Sequence, residues 1–331
     1  MWLMFVPALA AFAAELVLCP LLIPMLKKLK FGQYIREEGP KAHQKKAGTP
    51  MMGGISFLLA MIIGALSAFP NFSRFYIVLV MALVFGLIGF LDDFIKVVMK
   101  HNEGLKPWQK FLLQIAAGIG FALYLYLTGA PTGITLHLIG TRLELGWFYY
   151  VFVVFVFVAV TNGTNFNDGL DGLSSSVTSA ISLFFLAVVL ISGSEALSPY
   201  GSMASAMLGA LLGFLVFNAY PAKVFMGDTG SLYLGGYVCA LAFAMDMPII
   251  LLVVGLIYIV EMFSVILQVL YFKATKGKRL FKMSPIHHHF EMSGWSEVKI
   301  VVMFSVFTII CGSLAFILVV NGNYRIPAFV G

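Results

Sequence analysis

A chain of 331 residues that is 60% hydrophobic and only 11% charged has too little polar surface to cover a soluble globule. A mean hydropathy of +0.96, with 31 Phe and 17 Met, places it among membrane proteins. Its net charge of +6 favours anionic partners, and three dispersed cysteines without CxxC spacing (Cys19, Cys239, Cys311) indicate neither a disulfide framework nor a zinc site.

Apolar runs near the ~20-residue length that crosses a bilayer recur along the chain. Ten spans are expected, at 1–26, 51–70, 75–95, 111–128, 147–163, 173–192, 201–221, 229–247, 249–271 and 298–320. The first has no basic leader and no small-residue cleavage site, so it is expected to be an anchor and not a removed signal peptide. The remaining residues suffice for loops and one hairpin, and 1–331 reads as a single polytopic membrane domain. In 129–146, Gly and Pro flank two alternating apolar/polar stretches, the pattern of a small external β-hairpin acting as a structural cap.

The basic residues orient the chain. If the spans alternate, Arg74, Arg142 and Arg325 fall on one side and all the remaining Lys and Arg on the other. The positive side of a membrane protein is its cytoplasmic side, so both termini are expected outside. The cytoplasmic loops are then about 27–50, 96–110, 164–172, 222–228 and 272–297.

Five aspartates in short polar motifs emerge on that cytoplasmic face: Asp92, Asp93, Asp168, Asp171 and Asp228. LDDFIKV (91–97) ends the third span with two acids pointing about 100° apart, which argues for different roles. TNGTNFNDGLDGLSSS (161–176) crowds Asn162, Asn165, Asn167, Asp168 and Asp171 among glycines that admit close approach of a ligand. A helix cap needs one such residue and not five. FNAYPAKVFMGDTGS (217–231) joins Asn218, Lys223 and Asp228 across a Pro-broken turn. Its Gly-flanked acid before an apolar helix suits a metal-bound phosphate, with backbone N–H groups free at the helix start. SPIHHHFEMSG (284–294) places His287, His288 and His289 where they could contact a phosphate, while Lys45, Lys46, Lys106 and Lys110 offer point charges near the second and fourth spans. Glu15 and Glu261 fall inside spans and are not expected to belong to this cluster. Together the motifs predict a metal and phosphate site in a cytoplasmic cleft.

DDF at 92–94, NFNDGLDGL at 165–173, FMGDTGS at 225–231 and PIHHHFE at 285–291 resemble the polyprenyl-phosphate N-acetylhexosamine-1-phosphate transferases. With HQKKAGTPMMGG at 43–54, the triple histidine resembles the bacterial branch, the phospho-N-acetylmuramoyl-pentapeptide transferases. The likeness spans about residues 33–297, with FNDGLDGL where many relatives have LTDGLDGL. Basic residues are also arranged differently in KPWQKF, so position favours Lys110 over Lys106.

The resemblance implies an all-α, ten-helix fold with a broken ninth helix forming a lipid groove, a homodimer, and a multi-pass place in the bacterial cell membrane. It implies transfer from UDP-N-acetylmuramoyl-pentapeptide to undecaprenyl phosphate, with Mg2+ and no nucleic acid. Asp228 is then the expected Mg2+ ligand, and Asp92 or Asp93 the group that deprotonates or orients the lipid phosphate. Asn162, Asn165, Asp168, Asp171 and Asn218 are expected to bind the nucleotide or orient Lys110 and Lys46, and the three histidines to hold the diphosphate or sugar. The competing readings are a GlcNAc-1-phosphate transferase for another polymer and an ion-coupled transporter. Against the transporter, the acids gather at one face and no internal repeat is visible.

Overall fold

The computed structural model describes residues 2–29, 46, 48–68, 72–99, 104–137 and 139–321. Most of the expected loop 27–50, including Lys30, Arg36, Lys41 and Lys45, lies outside the described residues, as do 100–103 of the loop 96–110, with Lys100, and Arg325. The helices are α1 (Val6–Lys28), α2 (Gly54–Leu66), α3 (Phe72–Met99), α4 (Pro107–Leu127), α5 (Phe148–Phe166), α6 (Leu173–Ser192), α7 (Ser198–Asn218), α8 (Gly227–Ala244), α9 (Leu251–Val254), α10 (Leu256–Ala274), α11 (Ile286–Glu291) and α12 (Glu297–Asn321).

Each expected span contains a helix, and among the described residues eight helices are long and apolar enough to cross a membrane. The two exceptions have local causes. Helix α2 has only 13 residues because the chain before it is pinned in another conformation. Gly53 and Gly54 donate to Phe225 O and Met226 O, at 2.8 and 3.0 Å, and Phe225 donates to Pro50 O at 2.9 Å. Helix α8, 18 residues long, begins inside the polar GDTGS motif. The ninth span is interrupted at Gly255, between α9 and α10. Two loops are shorter than expected, because α3 runs on to Met99 and α5 to Phe166, and the loop after α10 contains the short helix α11.

Helix α8 is the centre of the bundle, buried at every position except Asp228. Lipid supplies little hydrophobic drive for helices to associate, so close packing of small residues must hold such a helix. GDTGSLYLGGYVCALAFA has that composition, and α8 packs against α2, α3 and α5. The tightest approach is at Gly89 of α3, where an added β-carbon would stand 2.0 Å from the Asp228 carbonyl oxygen. Gly89 therefore brings the two aspartates that follow on α3 up to the start of α8.

At the opposite end, β1 (Gly133–Leu136) and β2 (Thr141–Glu144) form the expected hairpin, antiparallel with Gly133 opposite Glu144. It is tied to the far end of α8 by Asp246, which accepts from Arg142 Nη1 at 2.6 Å and from Thr135 Oγ1 at 2.9 Å. The Asp246 side chain is only 7% exposed, so losing its cationic partner leaves a buried charge poorly matched. Arg142→Ala should therefore cost roughly 1–2 kcal/mol of stability. Glu144→Ala, at an exposed partner of the same arginine, should change it by less than about 0.5 kcal/mol. Thermal unfolding of both variants in detergent checks the difference.

Candidate functional site

The helix ends opposite the hairpin gather the motif residues. Asp92, Asp93 and Lys96 come from the end of α3, Lys110 from the start of α4, Asn165 from the last turn of α5, and Asp228 from the first turn of α8. Carboxylate oxygens of Asp92, Asp93 and Asp228 lie within 4.8 Å of one another, a grouping able to hold a metal ion. Three acids so close are tolerable only if cations offset them. Lys96 does so from one helical turn past Asp92: its Nζ is 2.6 Å from Asp92 Oδ2, 2.7 Å from Asp228 Oδ2 and 3.7 Å from Asp93 Oδ1. Lys110 adds a second contact to Asp228 Oδ2 at 3.0 Å.

The three acids are not equivalent. Asp93, with its side chain 1% exposed, accepts from the Asp228 N–H at 3.2 Å and from the Thr229 N–H and hydroxyl at 2.8 and 2.7 Å. It caps α8 from a neighbouring helix, where its charge also complements the positive end of the helix dipole. This corrects one expectation: the Asp228 and Thr229 N–H groups in the first turn of α8 are not free for a phosphate, because Asp93 takes them. Asp92 is held at Oδ1 by the Leu105 N–H, at 2.8 Å. Asp228 is the most exposed of the three, and Asn165 orients it by donating to Oδ1 at 2.6 Å while its own Oδ1 accepts from Lys110 at 3.1 Å. Asn165 also reaches Ser231 Oγ, at 2.9 Å.

A second group lies alongside. Lys46 Nζ is 2.6 Å from Asp171 Oδ1 and 2.5 Å from Glu297 Oε1. Burial alone would lower the Lys46 pKa; hydrogen bonds and charge from Asp171 and Glu297 outweigh it and raise it. Glu297 also accepts the Asp171 N–H at 2.6 Å, and Asp171 Oδ2 accepts the Ala222 N–H at 2.9 Å. Three chain segments and the start of α12 are thereby fastened at one point. The face of Phe225 lies 5.9 Å from the Lys46 ammonium.

Asp168 stands between the two groups. Burial first, then the charges of Asp228, Asp93 and Asp171, hold its carboxyl well above the ordinary carboxylate range. Asn218 is buried and supports the turn after α7, accepting from Ser175 Oγ and donating to Val224 O, both at 3.0 Å. Asn162 is bonded instead to Gln114 Oε1, at 2.6 Å, and no hydrogen bond joins it to the acids among the described residues.

The three histidines have different surroundings. His287 is fully buried with Nδ1 3.0 Å from Glu261 Oε1, so Glu261, set apart on sequence grounds, does join this end of the bundle. His288 Nδ1 lies 2.6 Å from Glu291 Oε2, and His289 Nδ1 accepts from the Lys282 N–H at 3.1 Å. Glu15 is paired across a helix interface, accepting from Ser56 Oγ at 2.6 Å. Sequence reasoning missed Glu297 and set Glu261 aside, while in LDDFIKV it allowed for one acid held by a lysine, which the structure supplies as Lys96. Only Lys96 carried a local signal, its i+4 spacing from Asp92.

Asp168 yields a prediction whose sign is fixed. A carboxyl raised above its unfolded pKa of about 3.9 opposes folding once ionised and has no effect where both states are protonated. Asp168→Asn should therefore raise the melting temperature at pH 7, and the gain should shrink as the pH falls toward about 4. Melting curves of both proteins across that range test it.

The family model described as glycosyl transferase family 4 matches residues 75–246. Curated proteins named phospho-N-acetylmuramoyl-pentapeptide-transferase are similar over nearly the full length. That of Acetivibrio thermocellus is 50% identical over 309 residues, covering 92% of each chain. That of Clostridium botulinum is 48% identical over 310 residues, covering 93% of this chain and 94% of the relative. That of Halalkalibacterium halodurans is 46% identical over 298 residues, covering 89% and 90%.

Proposed function

The chain belongs to glycosyl transferase family 4, in the branch of the phospho-N-acetylmuramoyl-pentapeptide transferases, and from that premise we propose its reaction. Undecaprenyl phosphate attacks the β-phosphorus of UDP-N-acetylmuramoyl-pentapeptide. A new phosphate–phosphorus oxygen bridge forms, the bond to the UMP oxygen breaks, and lipid I and UMP leave. The observation that carries this reading is the convergence of Asp92, Asp93 and Asp228 with Lys96, Lys110 and Asn165 at one end of the bundle.

Phosphoryl transfer needs positioning and charge neutralisation more than covalent chemistry. A phosphate monoester is mostly a dianion at pH 7, so no strong base is required to start the attack. Asp92 accordingly orients groups around the acceptor. Lys96 and Lys110 are placed to turn from the carboxylates to phosphoryl oxygens, and Asn165 keeps Asp228 in one orientation. Asp93 positions Asp228 through the cap on α8.

The donor set fits Mg2+: hard carboxylate oxygens, of which one or two suffice alongside phosphate oxygens and water. Asp228 and Asp92 would hold the ion. Bound there, it would neutralise charge on the donor diphosphate. Lys46, Asp168, Asp171 and Asn218 form the nucleotide side of the site, and Asn162 supports α5 behind it. His288 and His289 belong to the sugar side. The acceptor chain would lie along the C-terminal end of α10 and the loop after it, where Gln268, Val269, Phe272, Lys273, Arg279, Met283 and Ser284 line a cavity of about 330 Å3.

In this reading residues 1–331 form one domain of ten spans in the bacterial cell membrane, working as a homodimer. Both termini are outside and the site faces the cytoplasm, the side favoured by the basic loops.

Purified protein given the UDP-linked donor, undecaprenyl phosphate and Mg2+ should release UMP, and a chelator should stop it. Asp228→Asn should lower the rate by roughly a hundredfold or more, the scale of losing one preorganised electrostatic group. Wild-type protein that releases no UMP would overturn the reading, and an Asn variant of near-normal rate would remove Asp228 from the centre.

A further inference from the structure

His287 and Glu261 are both completely excluded from solvent, and each is left with one unused polar atom. His287 Nδ1 meets Glu261 Oε1 at 3.0 Å, while His287 Nε2 and Glu261 Oε2 have no hydrogen-bond partner among the described residues. An acid and an imidazole buried this way are costly, and apolar side chains of similar volume would fill the same space at lower cost. Their retention points to orientation. A carboxylate at Nδ1 fixes that nitrogen as the donor and holds the ring in a single plane, as carboxylates do for histidines in other sites.

The fixed ring has a definite target. Its free edge abuts Gly169, where an added β-carbon would come within 2.1 Å of Nε2 and 2.6 Å of Cε1. Gly169 directly follows Asp168 and lies two residues before Asp171. Asp171 is clamped by Lys46, the Ala222 N–H and Glu297, through its own N–H, and so anchors one end of the turn. The imidazole supports the other end.

We infer that Glu261 is a positioning residue: through His287 it sets the shape of the Asn167–Gly172 turn and so presents Asp168 and Asp171 to the nucleotide donor. For its substrate, this inference rests on the transferase reading above. The first histidine of the run faces inward as a strut and is not a ligand of the diphosphate.

Three variants test it: Glu261→Gln, Glu261→Leu and His287→Asn. In Glu261→Gln the amide oxygen still accepts from Nδ1–H, so the donor KM should stay within about threefold of wild type. Glu261→Leu removes the acceptor and should raise the donor KM roughly tenfold, with the KM for undecaprenyl phosphate within about twofold. His287→Asn attacks the same link from the turn side and should give the same donor-selective loss, which serves if the Leu protein fails to accumulate. Equal changes in both KM values, an unchanged donor KM in the Leu and Asn variants, or a Gln variant as impaired as Leu would overturn the inference. Hydrogen exchange at the 167–172 amides supplies a readout independent of turnover. Faster exchange in Glu261→Leu but not in Glu261→Gln supports the strut, and unchanged exchange in both overturns it. Wild-type protein without UMP release overturns the transferase reading instead and leaves the exchange experiment to decide the strut.

Discussion

One ammonium group holds the site together. Lys96 Nζ lies within 2.7 Å of both Asp92 and Asp228 and near Asp93, at the meeting point of three carboxylates that would otherwise repel one another. The same three carboxylates form a grouping able to hold a metal ion. The cluster therefore keeps its geometry by internal charge, at a depth where unpaired acids are costly. Lys110 does the same from α4. When phosphate oxygens arrive, the two lysines have a second set of anions to neutralise, which makes the arrangement suited to phosphoryl transfer.

That cluster depends on the placement of α8. A helix buried along its whole length has its first turn fixed by its neighbours, and the small residues of α8 with Gly89 of α3 let backbones approach closely. Asp93 completes the contact by capping α8 with both of its oxygens. The short α2 belongs to the same construction, since the strand-like contact of residues 50–54 with 225–226 holds the GDTGS turn from the other side. Stability and chemistry share these residues, so changes at Gly89 or Asp93 act on the site through the backbone of Asp228.

Much of this was legible in the sequence. Hydropathy marked where each long helix lies, missed the short α11 in an expected loop, and erred in length where backbone pairing or a polar start shortened a span, at α2 and α8. The hairpin was visible in its alternation, and the motif aspartates were visible because acids are scarce in so apolar a chain. Even the different hydrogen-bond partners of Asp92 and Asp93 accord with the 100° between neighbouring helix positions. The long-range partners were not legible. Glu297 reaches Lys46 and Asp171 across 251 and 126 residues, and Glu261 reaches His287 from a different helix. Nothing local in α10 distinguishes Glu261 from an acid paired inside the bundle. The surroundings of the histidine run were hidden for a related reason: residue type suggested a phosphate contact, and nothing in the motif shows that the His287 ring is buried against Glu261.

The Lys96 ammonium and a bound metal ion would compete for the same carboxylates of Asp92 and Asp228, and Mn2+ binding followed by electron paramagnetic resonance tests that most directly. Wild-type protein should bind one Mn2+ in the site, Asp228→Asn should lose it, and Lys96→Met should bind it more tightly because the resident ammonium is gone. Undiminished Mn2+ binding in Asp228→Asn, or weaker binding in a folded Lys96→Met protein, would contradict the account.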